Sequence, residues 1–398
     1  MNALADIPVT LMTTYGRAPV AFVRGEGNYL IDSDGRRYLD AVAGVAVNSL
    51  GHSHPGFIAA IREQVGTLVH TSNLYRIPQQ EALSVVLSEK SGMQQMFFCN
   101  SGAEAIEASI KLARKVGHAR GLEVPTIMVT TGAFHGRTLG ALTATHSPKY
   151  QEGFGPLLDG FVRAPYSDLA AAEDLIKTTP QMIAIMVEPV QGEGGVVMPS
   201  PGYIKGLRAL CDQYKLLLIL DEIQTGNGRT GKYFAYQHEG VLPDILATAK
   251  GLGNGYPIGV CLAAGAAANV LKPGHHGSTF GGSPLACAAG LAVYKALDEE
   301  KLVDNAANQG KHILDSLRSN LQDMPGIKDI RGIGLMTGIE FDRDATALGQ
   351  AARERGLLIN IAVGTTIRLV PPLTLSRSEA DFIIEVVTGI VKEFCHDA

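Results

Sequence analysis

The chain has 398 residues, of which 46% are hydrophobic and 18% are charged, and its formal net charge is −5. These values predict a globular protein with a sizeable core and more than one domain, and they exclude a strongly basic chain suited to nucleic acid or anionic lipid. The five cysteines form no Cys-x-x-Cys pair, so we expect reduced, mostly buried thiols in a cytoplasmic protein. Residues 1–8 predict no signal peptide, and the apolar stretch 258–271 is too short for a membrane span.

The first fifty residues predict an extended arm with a few short strands. Apolar runs at 20–23 and 28–31 flank the turn 25–27 (GEG), which is typical of a β-hairpin. A second turn is predicted at 32–35 (DSDG). We expect residues 1–50 to supply this arm and part of a small domain.

From about residue 56 the sequence alternates between helical periodicity and short apolar runs. Helices are predicted at 79–90, 101–116, 167–177, 200–214 and from 283 past 294, and strands at 95–98, 126–129, 182–187, 216–220 and 245–248. Ser200 and Pro201 suit a helix start, because serine can cap and proline is pre-set for the first turn. The alternation predicts a large α/β domain, residues 51–298, whose mainly parallel sheet is flanked by helices.

Beyond about residue 300 the pattern becomes a mixture of helices and strands. Helices are predicted at 311–321 and 378–394, and strands at 332–341, 357–360 and 366–369. We expect residues 299–398 to form a smaller α+β domain that packs with the N-terminal segment.

Three ionisable residues follow strand ends in the large domain. Glu188, Asp221 and Lys250 each come after the last apolar residue of a predicted strand. If these strands are parallel, the three residues lie at the edge of the sheet where α/β proteins bind ligands. Any one of them alone would be explained as a helix cap or a solvated charge. Together, an acid and a lysine suit pyridoxal phosphate (PLP), which bonds to a lysine and needs an acid against its pyridine nitrogen.

Residues 100–104 (NSGAE) lie between a predicted strand and a predicted helix and suit a phosphate group. Ser101 and Glu104 have the spacing of a capping box. Gly102 and Ala103 leave the N–H groups of the first turn uncovered, and a helix N-terminus favours an anion. An ordinary capped helix is the alternative interpretation.

Three other positions suit a cofactor ring or a carboxylate. Phe134, within 132–137 (GAFHGR), is either a ring that stacks on a cofactor or a core residue. Arg137 in the same glycine-rich loop suits bidentate binding of a substrate carboxylate. Arg368 is a lone charge in the apolar strand 366–370, so it either faces solvent or holds an anion.

Two patterns suggest other classes of site. Residues 226–231 (GNGRTG) match G-x-G-x-x-G, but residues 222–225 separate them from the strand end where a dinucleotide site would need them, so we interpret them as a turn. His52 and His54, and His275 with His276, could suggest a metal, but no third ligand lies at suitable spacing. We therefore expect no metal site.

These segments resemble the class III, fold type I, PLP-dependent aminotransferases over about residues 15–394. The segments that carry the resemblance are 100–105 (NSGAEA), 132–138 (GAFHGRT), 187–193 (VEPVQGE), 220–226 (LDEIQTG), 249–251 (AKG) and 278–283 (STFGGS). Within the class, the segments 15–20 (YGRAPV), 47–52 (VNSLGH) and 70–75 (HTSNLY) are similar to those of enzymes that act on acetylornithine.

The resemblance implies the cofactor contacts. Lys250 would carry PLP, Asp221 would pair with the ring nitrogen, and Glu188 would lie beside the cofactor. The implied contacts with the phosphate come from Ser101, Gly102 and Ala103, and from Thr279 of the partner subunit in a homodimer. Phe134 and Ile223 would cover the two ring faces, and Gln224 would reach the ring hydroxyl.

The resemblance also implies the substrate contacts. Arg137 would hold the distal carboxylate of either substrate, and Arg368 the α-carboxylate of glutamate or 2-oxoglutarate. Glu193 would neutralise Arg368 while the ω-amino donor is bound. Tyr15 and Ser278 would complete the substrate pocket.

The implied activity is transfer of the δ-amine of N2-acetylornithine to 2-oxoglutarate by a ping-pong mechanism in arginine biosynthesis. Succinylornithine, ornithine, 4-aminobutyrate and succinyldiaminopimelate are alternative donors, because enzymes for these donors share most of the same residues. Two other classes are a PLP-fold protein that only binds and a dinucleotide enzyme that uses residues 226–231. Lys250 and Asp221 argue against the first, and the colour of the purified protein distinguishes the second.

Overall fold

The computed structural model describes residues 10–396. The predictions for residues 1–8, and the first residues of the predicted N-terminal arm, lie outside this range. The strands are, in chain order, β1 (Phe22–Glu26), β2 (Tyr29–Asp32), β3 (Arg37–Asp40), β4 (Gln95–Cys99), β5 (Thr126–Thr130), β6 (Phe161–Ala164), β7 (Met182–Val187), β8 (Leu217–Asp221), β9 (Ile245–Thr248), β10 (Gly259–Ala263), β11 (Ile327–Gly332), β12 (Thr337–Phe341), β13 (Leu357–Leu358), β14 (Asn360–Ala362) and β15 (Thr366–Leu369).

The helices lie between and after these strands. They are α1 (Ala43–Ala46), α2 (Pro55–Thr67), α3 (Pro78–Ser91), α4 (Gly102–Ala119), α5 (Leu139–Ala144), α6 (Pro148–Gln151), α7 (Leu169–Thr178), α8 (Tyr203–Tyr214), α9 (Pro284–Glu299), α10 (Leu302–Leu321), α11 (Leu348–Glu354) and α12 (Arg377–His396), with short 3-10 helices at Ala235–His238, Lys250–Leu252 and Gly265–Ala267. No helix within residues 10–396 is both long and apolar enough to cross a bilayer.

The large sheet has seven strands in the order β4-β10-β9-β8-β7-β5-β6. The pairs β6–β5, β5–β7, β7–β8 and β8–β9 are parallel, and β10 is antiparallel to both of its neighbours. The prediction of a mainly parallel α/β sheet is therefore confirmed. Strand β10 is not predicted from the sequence, because its residues lie within a continuous apolar stretch with no period that marks a strand.

Alternate residues of β8 pack on opposite faces of the large sheet. Leu218 and Leu220 belong to one hydrophobic cluster, and Leu217 and Ile219 belong to the other. Such a strand is apolar at every position because helices cover both faces of a parallel sheet. The first polar residue, Asp221, comes where the strand leaves the core.

Two smaller four-stranded sheets are formed by the chain ends. One has the order β1-β2-β3-β13, in which Leu357 of β13 pairs in parallel with Leu39 of β3. The other has the order β11-β12-β15-β14. The predicted α+β unit built from both chain ends is confirmed by the β3–β13 pairing, which joins residues more than 300 positions apart.

Several predicted boundaries are wrong. The predicted strand 332–341 is two strands, β11 and β12, joined by a turn, and the predicted strand 357–360 divides between β13 and β14, which lie in different sheets. The predicted helix start at Ser200 is also wrong. Helix α8 begins at Tyr203 after Gly202, whose φ of 80° breaks the helix, and the Ser200 hydroxyl instead bonds the Ser167 hydroxyl.

The turn between β11 and β12 lies in close contact with two other elements through glycine backbones. Gly334 in this turn has a φ of 54°, and a Cβ there would overlap the backbone of Thr230. On its other side, a Cβ on Gly310 of α10 would overlap the carbonyl oxygen of Gly334. Both positions therefore require glycine, because any side chain would separate backbones that pack directly.

We predict opposite effects of alanine at two helical glycines. Gly310→Ala should lower the free energy of unfolding by about 1–3 kcal/mol, because the added methyl overpacks the contact with Gly334. Gly389→Ala in α12 has open space around the new methyl. It should raise the free energy of unfolding by about 0.5–1 kcal/mol through helix propensity. Denaturant unfolding of both variants tests this, and equal effects at the two sites would contradict the packing argument.

Candidate active site

The carboxyl ends of β7, β8 and β9 meet at one edge of the large sheet. Glu188 follows β7, Asp221 ends β8, and Lys250 lies two residues after β9. Because the three strands are parallel, all three side chains line one cavity of about 420 Å³. The predicted site residues that line it are Ser101, Gly102, Ala103, Phe134, Arg137, Glu188, Glu193, Asp221, Ile223, Gln224 and Lys250.

Lys250 enters the cavity from a strained turn. Its φ is 45°, a left-handed value that is uncommon for a residue with a side chain, at the start of the 3-10 helix Lys250–Leu252. Burial is the largest influence on its amine and lowers the pKa below the usual lysine value, although the charge of Glu193 acts in the opposite direction. A lysine with a lowered pKa can serve as a nucleophile and as a proton carrier.

Asp221 is held by a histidine that the sequence analysis does not single out. The Oδ2 atom of Asp221 lies 2.7 Å from Nδ1 of His135, and both side chains are buried. Burial alone would lower the pKa of His135, but the hydrogen bond and the charge of Asp221 outweigh it and raise this pKa. His135 lies beside Phe134 in the 132–138 segment, but its partner is 86 positions away, so no local pattern predicts the contact.

Glu188 lies in the cavity wall, and backbone groups bond both of its oxygens. Oε1 accepts from the N–H of Phe134 at 2.9 Å, and Oε2 accepts from the N–H of Gly192 at 3.1 Å. Burial is the main reason that the pKa of Glu188 rises to about 7, against the charge of His135, which lowers it. Glu188 thus fixes the two loops that carry Phe134 and Glu193.

Helix α4 directs its N-terminus into the cavity. Ser101 caps it by accepting from the N–H of Glu104 at 3.2 Å, as predicted. The reciprocal half of the predicted capping box is wrong, because the Glu104 carboxylate accepts from the N–H of Asn100 at 2.6 Å. The N–H groups of Gly102 and Ala103 are in the first turn, which leaves them without intrahelical acceptors. These groups and the helix dipole favour an anion at this position.

Phe134 and Arg137 approach the cavity from the loop before α5. The Arg137 guanidinium stacks on the ring of Tyr150 at 3.5 Å from its centroid and lies 5.8 Å from that of Phe134. Glu107 of α4 holds the residues that follow Arg137: its Oε1 accepts from the hydroxyl of Thr138 and from the N–H groups of Gly140 and Ala141. The sequence analysis does not identify Glu107, because an acid on a helix surface carries no distinctive pattern.

Arg368 is a buried charged group that contacts the cavity wall at Glu193. It is 1% exposed, and its Nη1 lies 2.7 Å from the Glu193 carboxylate and 3.0 Å from the carbonyl oxygen of Gly192. Nε and Nη2 donate to Oδ1 of Asn360. Burial alone would raise the pKa of Glu193, but the neighbouring Arg368 lowers it. The alternative in which Arg368 faces solvent is therefore wrong.

Besides Arg368, three predicted site residues, Tyr15, Ser278 and Thr279, are not among those that line the cavity of the single chain. Tyr15 is 74% exposed, and Thr279 is also exposed. The Ser278 hydroxyl accepts from the side chain of Asn100 at 3.2 Å and from the N–H of Gly281 at 3.0 Å. Ser278 thus joins its loop to the segment that precedes α4, and the roles of all three residues stay predictions.

The glycine segment 226–231 is largely buried, and two of its side chains bond other segments of the chain. The side chain of Asn227 donates to the hydroxyl of Thr248 at 2.9 Å and to the carbonyl oxygen of Ala249 at 3.1 Å. The fully buried Arg229 donates to the carbonyl oxygens of Leu335 and Pro371. No α-helix opens from this segment, since the 3-10 helix Ala235–His238 follows, so the interpretation as a turn is confirmed.

The histidines near the N-terminal hairpin bond carboxylates. His52 contacts Asp40 at 2.9 Å, and His54 contacts Glu300 at 2.8 Å. Within residues 10–396 there is no group of three or more His, Cys, Asp or Glu residues suited to a metal ion. Four of the five cysteines are buried, and all five are free thiols.

The shape and charge of the cavity fit pyridoxal phosphate. The N-terminus of α4 suits a phosphate, the Asp221–His135 pair suits a protonated ring nitrogen, and Lys250 suits an aldehyde. The fit depends on Gly102, because a Cβ there would come within 2.8 Å of Ile223. A larger residue would push Ile223 toward the space that a ring needs.

Comparisons with known proteins agree with this geometry. The family model "Aminotransferase class-III" matches residues 12–391. The acetylornithine aminotransferase of Nitrosomonas europaea is 49% identical over 384 residues, which cover 96% of this chain and 98% of the relative.

Solved structures give the same result for the fold. The ornithine aminotransferase of Toxoplasma gondii superposes with a TM-score of 0.95 at 35% identity and covers 98% of this chain and 94% of its own. The acetylornithine aminotransferase of Elizabethkingia anophelis gives a TM-score of 0.86 at 33% identity, with 96% of each chain covered. The match along residues 12–391 and the identity of these relatives show that the chain belongs to the class-III aminotransferases.

Proposed function

We propose that the chain transfers the δ-amine of N2-acetylornithine to 2-oxoglutarate, giving N-acetylglutamate 5-semialdehyde and glutamate, as a step of arginine biosynthesis. The observation that carries the proposal is the ion pair between Arg368 and Glu193 at 2.7 Å beside Lys250. An arginine that is neutralised in one half-reaction and free in the other lets one pocket accept an ω-amine and a 2-oxoacid. The relatives named acetylornithine aminotransferase support this donor.

The cofactor in this proposal is pyridoxal phosphate. When bound, it supplies an electron sink that stabilises the negative charge left on the substrate carbon after a proton is removed. Lys250 would hold the aldehyde carbon and Asp221 would pair with the ring nitrogen, with Glu188 beside the cofactor. Ser101, Gly102 and Ala103 would bind the phosphate together with Thr279 of the partner subunit. Phe134 and Ile223 would cover the two ring faces, and Gln224 would reach the ring hydroxyl.

His135 and Lys250 perform complementary tasks in this mechanism. His135, with its raised pKa, donates to Asp221 and holds the carboxylate in the position from which it would pair with the ring nitrogen. Lys250 would hold the aldehyde carbon of the cofactor, and as a free amine its Nζ would accept the proton from the substrate carbon that bears the amino group and later give that proton back. Its lowered pKa favours the neutral amine that this step requires.

The substrate carboxylates are held at the two sides of the site. Arg137 binds the distal carboxylate of either substrate, and stacking on Tyr150 limits its movement. Arg368 binds the α-carboxylate of 2-oxoglutarate after Glu193 moves aside. Tyr15 and Ser278 complete the pocket in the proposal.

A homodimer with shared sites is part of the proposal, because Thr279 is exposed and outside the cavity of its own chain. We also propose that residues 51–298 form the large domain and that residues 1–50 and 299–398 form the small one, in a cytoplasmic protein. The alternative donors remain succinylornithine, ornithine, 4-aminobutyrate and succinyldiaminopimelate. Of these, ornithine has specific support from the superposition with the Toxoplasma gondii ornithine aminotransferase.

A panel of single-turnover measurements tests the donor. The holoenzyme is mixed separately with N2-acetylornithine and each alternative donor, and the rate of amine transfer is followed by the change in cofactor absorbance. We expect N2-acetylornithine to give the highest kcat/KM. The proposed donor is wrong if another amine reacts faster at equal concentration.

Lys250→Ala should abolish the yellow absorbance of lysine-bound cofactor, because Lys250 is the only lysine among the described residues that line the cavity. Lys295→Ala is the control, since Lys295 is on the surface of α9 with its side chain 71% exposed. Absorbance spectra of the purified variants measure the effect. A yellow Lys250→Ala protein, or a colourless wild type that binds NAD, would contradict the cofactor assignment.

The two arginines should affect the half-reactions differently. Arg137→Ala should lower kcat/KM for both the donor and 2-oxoglutarate, whereas Arg368→Ala should lower mainly the 2-oxoglutarate half, each by roughly 10- to 100-fold for a lost charged hydrogen bond. Separate single-turnover rates for the two half-reactions give the measurement. Equal losses in both halves for Arg368→Ala would count against the proposed exchange between Glu193 and substrate.

A further inference from the structure

The loop formed by residues 192–196 carries Glu193 and is held at its first residue by the active site. The N–H of Gly192 donates to Glu188, and its carbonyl oxygen accepts from Nη1 of Arg368 at 3.0 Å. A Cβ on Gly192 would overlap the side chain of Gln224, so this residue packs closely against the cavity wall. The start of the loop therefore has little freedom to move.

The end of the loop is held by Arg331, a residue of β11 that lies outside the cavity. Its Nε donates to the carbonyl oxygen of Val196 at 2.8 Å, and its Nη2 donates to that of Gly195 at 2.8 Å. Two parallel bonds from one guanidinium to successive carbonyls fix both position and orientation. The third nitrogen, Nη1, donates to Glu340 at 2.6 Å and to Asp329 at 3.1 Å.

The backbone that Arg331 holds is in an unfavourable conformation. Val196 is buried and β-branched, yet its φ is 56°, a left-handed value that such residues rarely adopt. The neighbouring Gly195 has a φ of 100°, and Gln191 and Val197 close the loop through two backbone bonds. A strained conformation persists only where surrounding contacts impose it, and Arg331 supplies the side-chain hydrogen bonds to this part of the backbone.

Glu193 lies between these two fixed points. With the backbone held on both sides, its carboxylate stays 2.7 Å from Arg368 and can leave only by rotation of its own side chain. We infer that Arg331 is a positioning residue that keeps Glu193 paired with Arg368 and thereby favours ω-amine donors over glutamate. This inference rests on the proposed function, because it assumes that Arg368 is neutralised while an ω-amine is bound.

Arg331→Met tests the inference, since methionine keeps most of the volume and removes every donor. With the loop relaxed, Glu193 no longer neutralises Arg368, and the free guanidinium binds the α-carboxylate of glutamate. The ratio of kcat/KM for the best ω-amine donor to kcat/KM for glutamate should fall by a factor of about ten or more. In Arg331→Lys this ratio should fall less than in Arg331→Met, because lysine can still donate to one of the two carbonyls.

A double-variant comparison shows whether Arg331 acts through Glu193. Glu193→Ala should lower the same ratio, and adding Arg331→Met to it should produce no further change. Arg318→Met is the matched control: Arg318 also donates to a backbone carbonyl, that of Ile330 on the same strand, but does not touch the loop. In Arg318→Met, the ratio of kcat/KM for the ω-amine donor to kcat/KM for glutamate should equal that of the wild type.

Two results would overturn the inference: an unchanged ratio in Arg331→Met, whether or not both donors lose activity equally, or a further fall of the ratio when Arg331→Met is added to Glu193→Ala. If Arg331→Met does not fold, Arg331→Lys with and without Glu193→Ala gives the same comparison. Failure of the proposed function is distinguishable, because it shows in the wild type itself: another amine then reacts faster than N2-acetylornithine, or no ω-amine reacts at all.

Discussion

The parallel alignment of β7, β8 and β9 is the constraint on which the rest of the site depends. Parallel neighbours end at the same edge of a sheet, so a residue placed after each strand reaches a common space. This alignment alone brings together Glu188, Asp221 and Lys250 from positions that are more than 60 residues apart between the first and the last.

The large sheet and the small sheets supply different groups of the proposed site. Groups proposed to hold the cofactor come from the large sheet and from α4, whereas Arg368 comes from β15 in a small sheet. The 192–196 loop is where the two meet: Glu188 holds it from the large sheet, and Arg368 and Arg331 hold it from the small one. The substrate-dependent movement proposed for Glu193 would therefore take place in a loop that contacts both parts of the molecule.

Features encoded within a few residues could be predicted from the sequence. The strand ends that carry Asp221 and Lys250 and the Ser101 cap depend on local periodicity and short-range hydrogen bonds. The contacts of His135 with Asp221 and of Arg331 with Val196 could not be predicted, because their partners lie 86 and 135 positions away and neither residue has a local pattern. The antiparallel strand β10 was missed for a related reason, since a uniformly apolar stretch gives no strand period.

The apolar character of β8 on both faces has a consequence for folding. A strand with one buried face is kept in register because a shift of one residue would expose its apolar side chains. In β8 such a shift would only exchange Leu218 and Leu220 with Leu217 and Ile219 between two apolar clusters. The carboxylate of Asp221 opposes the shift, since it would lose His135 and leave a buried charge without its partner. The residue proposed to face the cofactor therefore also specifies how the central strand aligns as the sheet assembles.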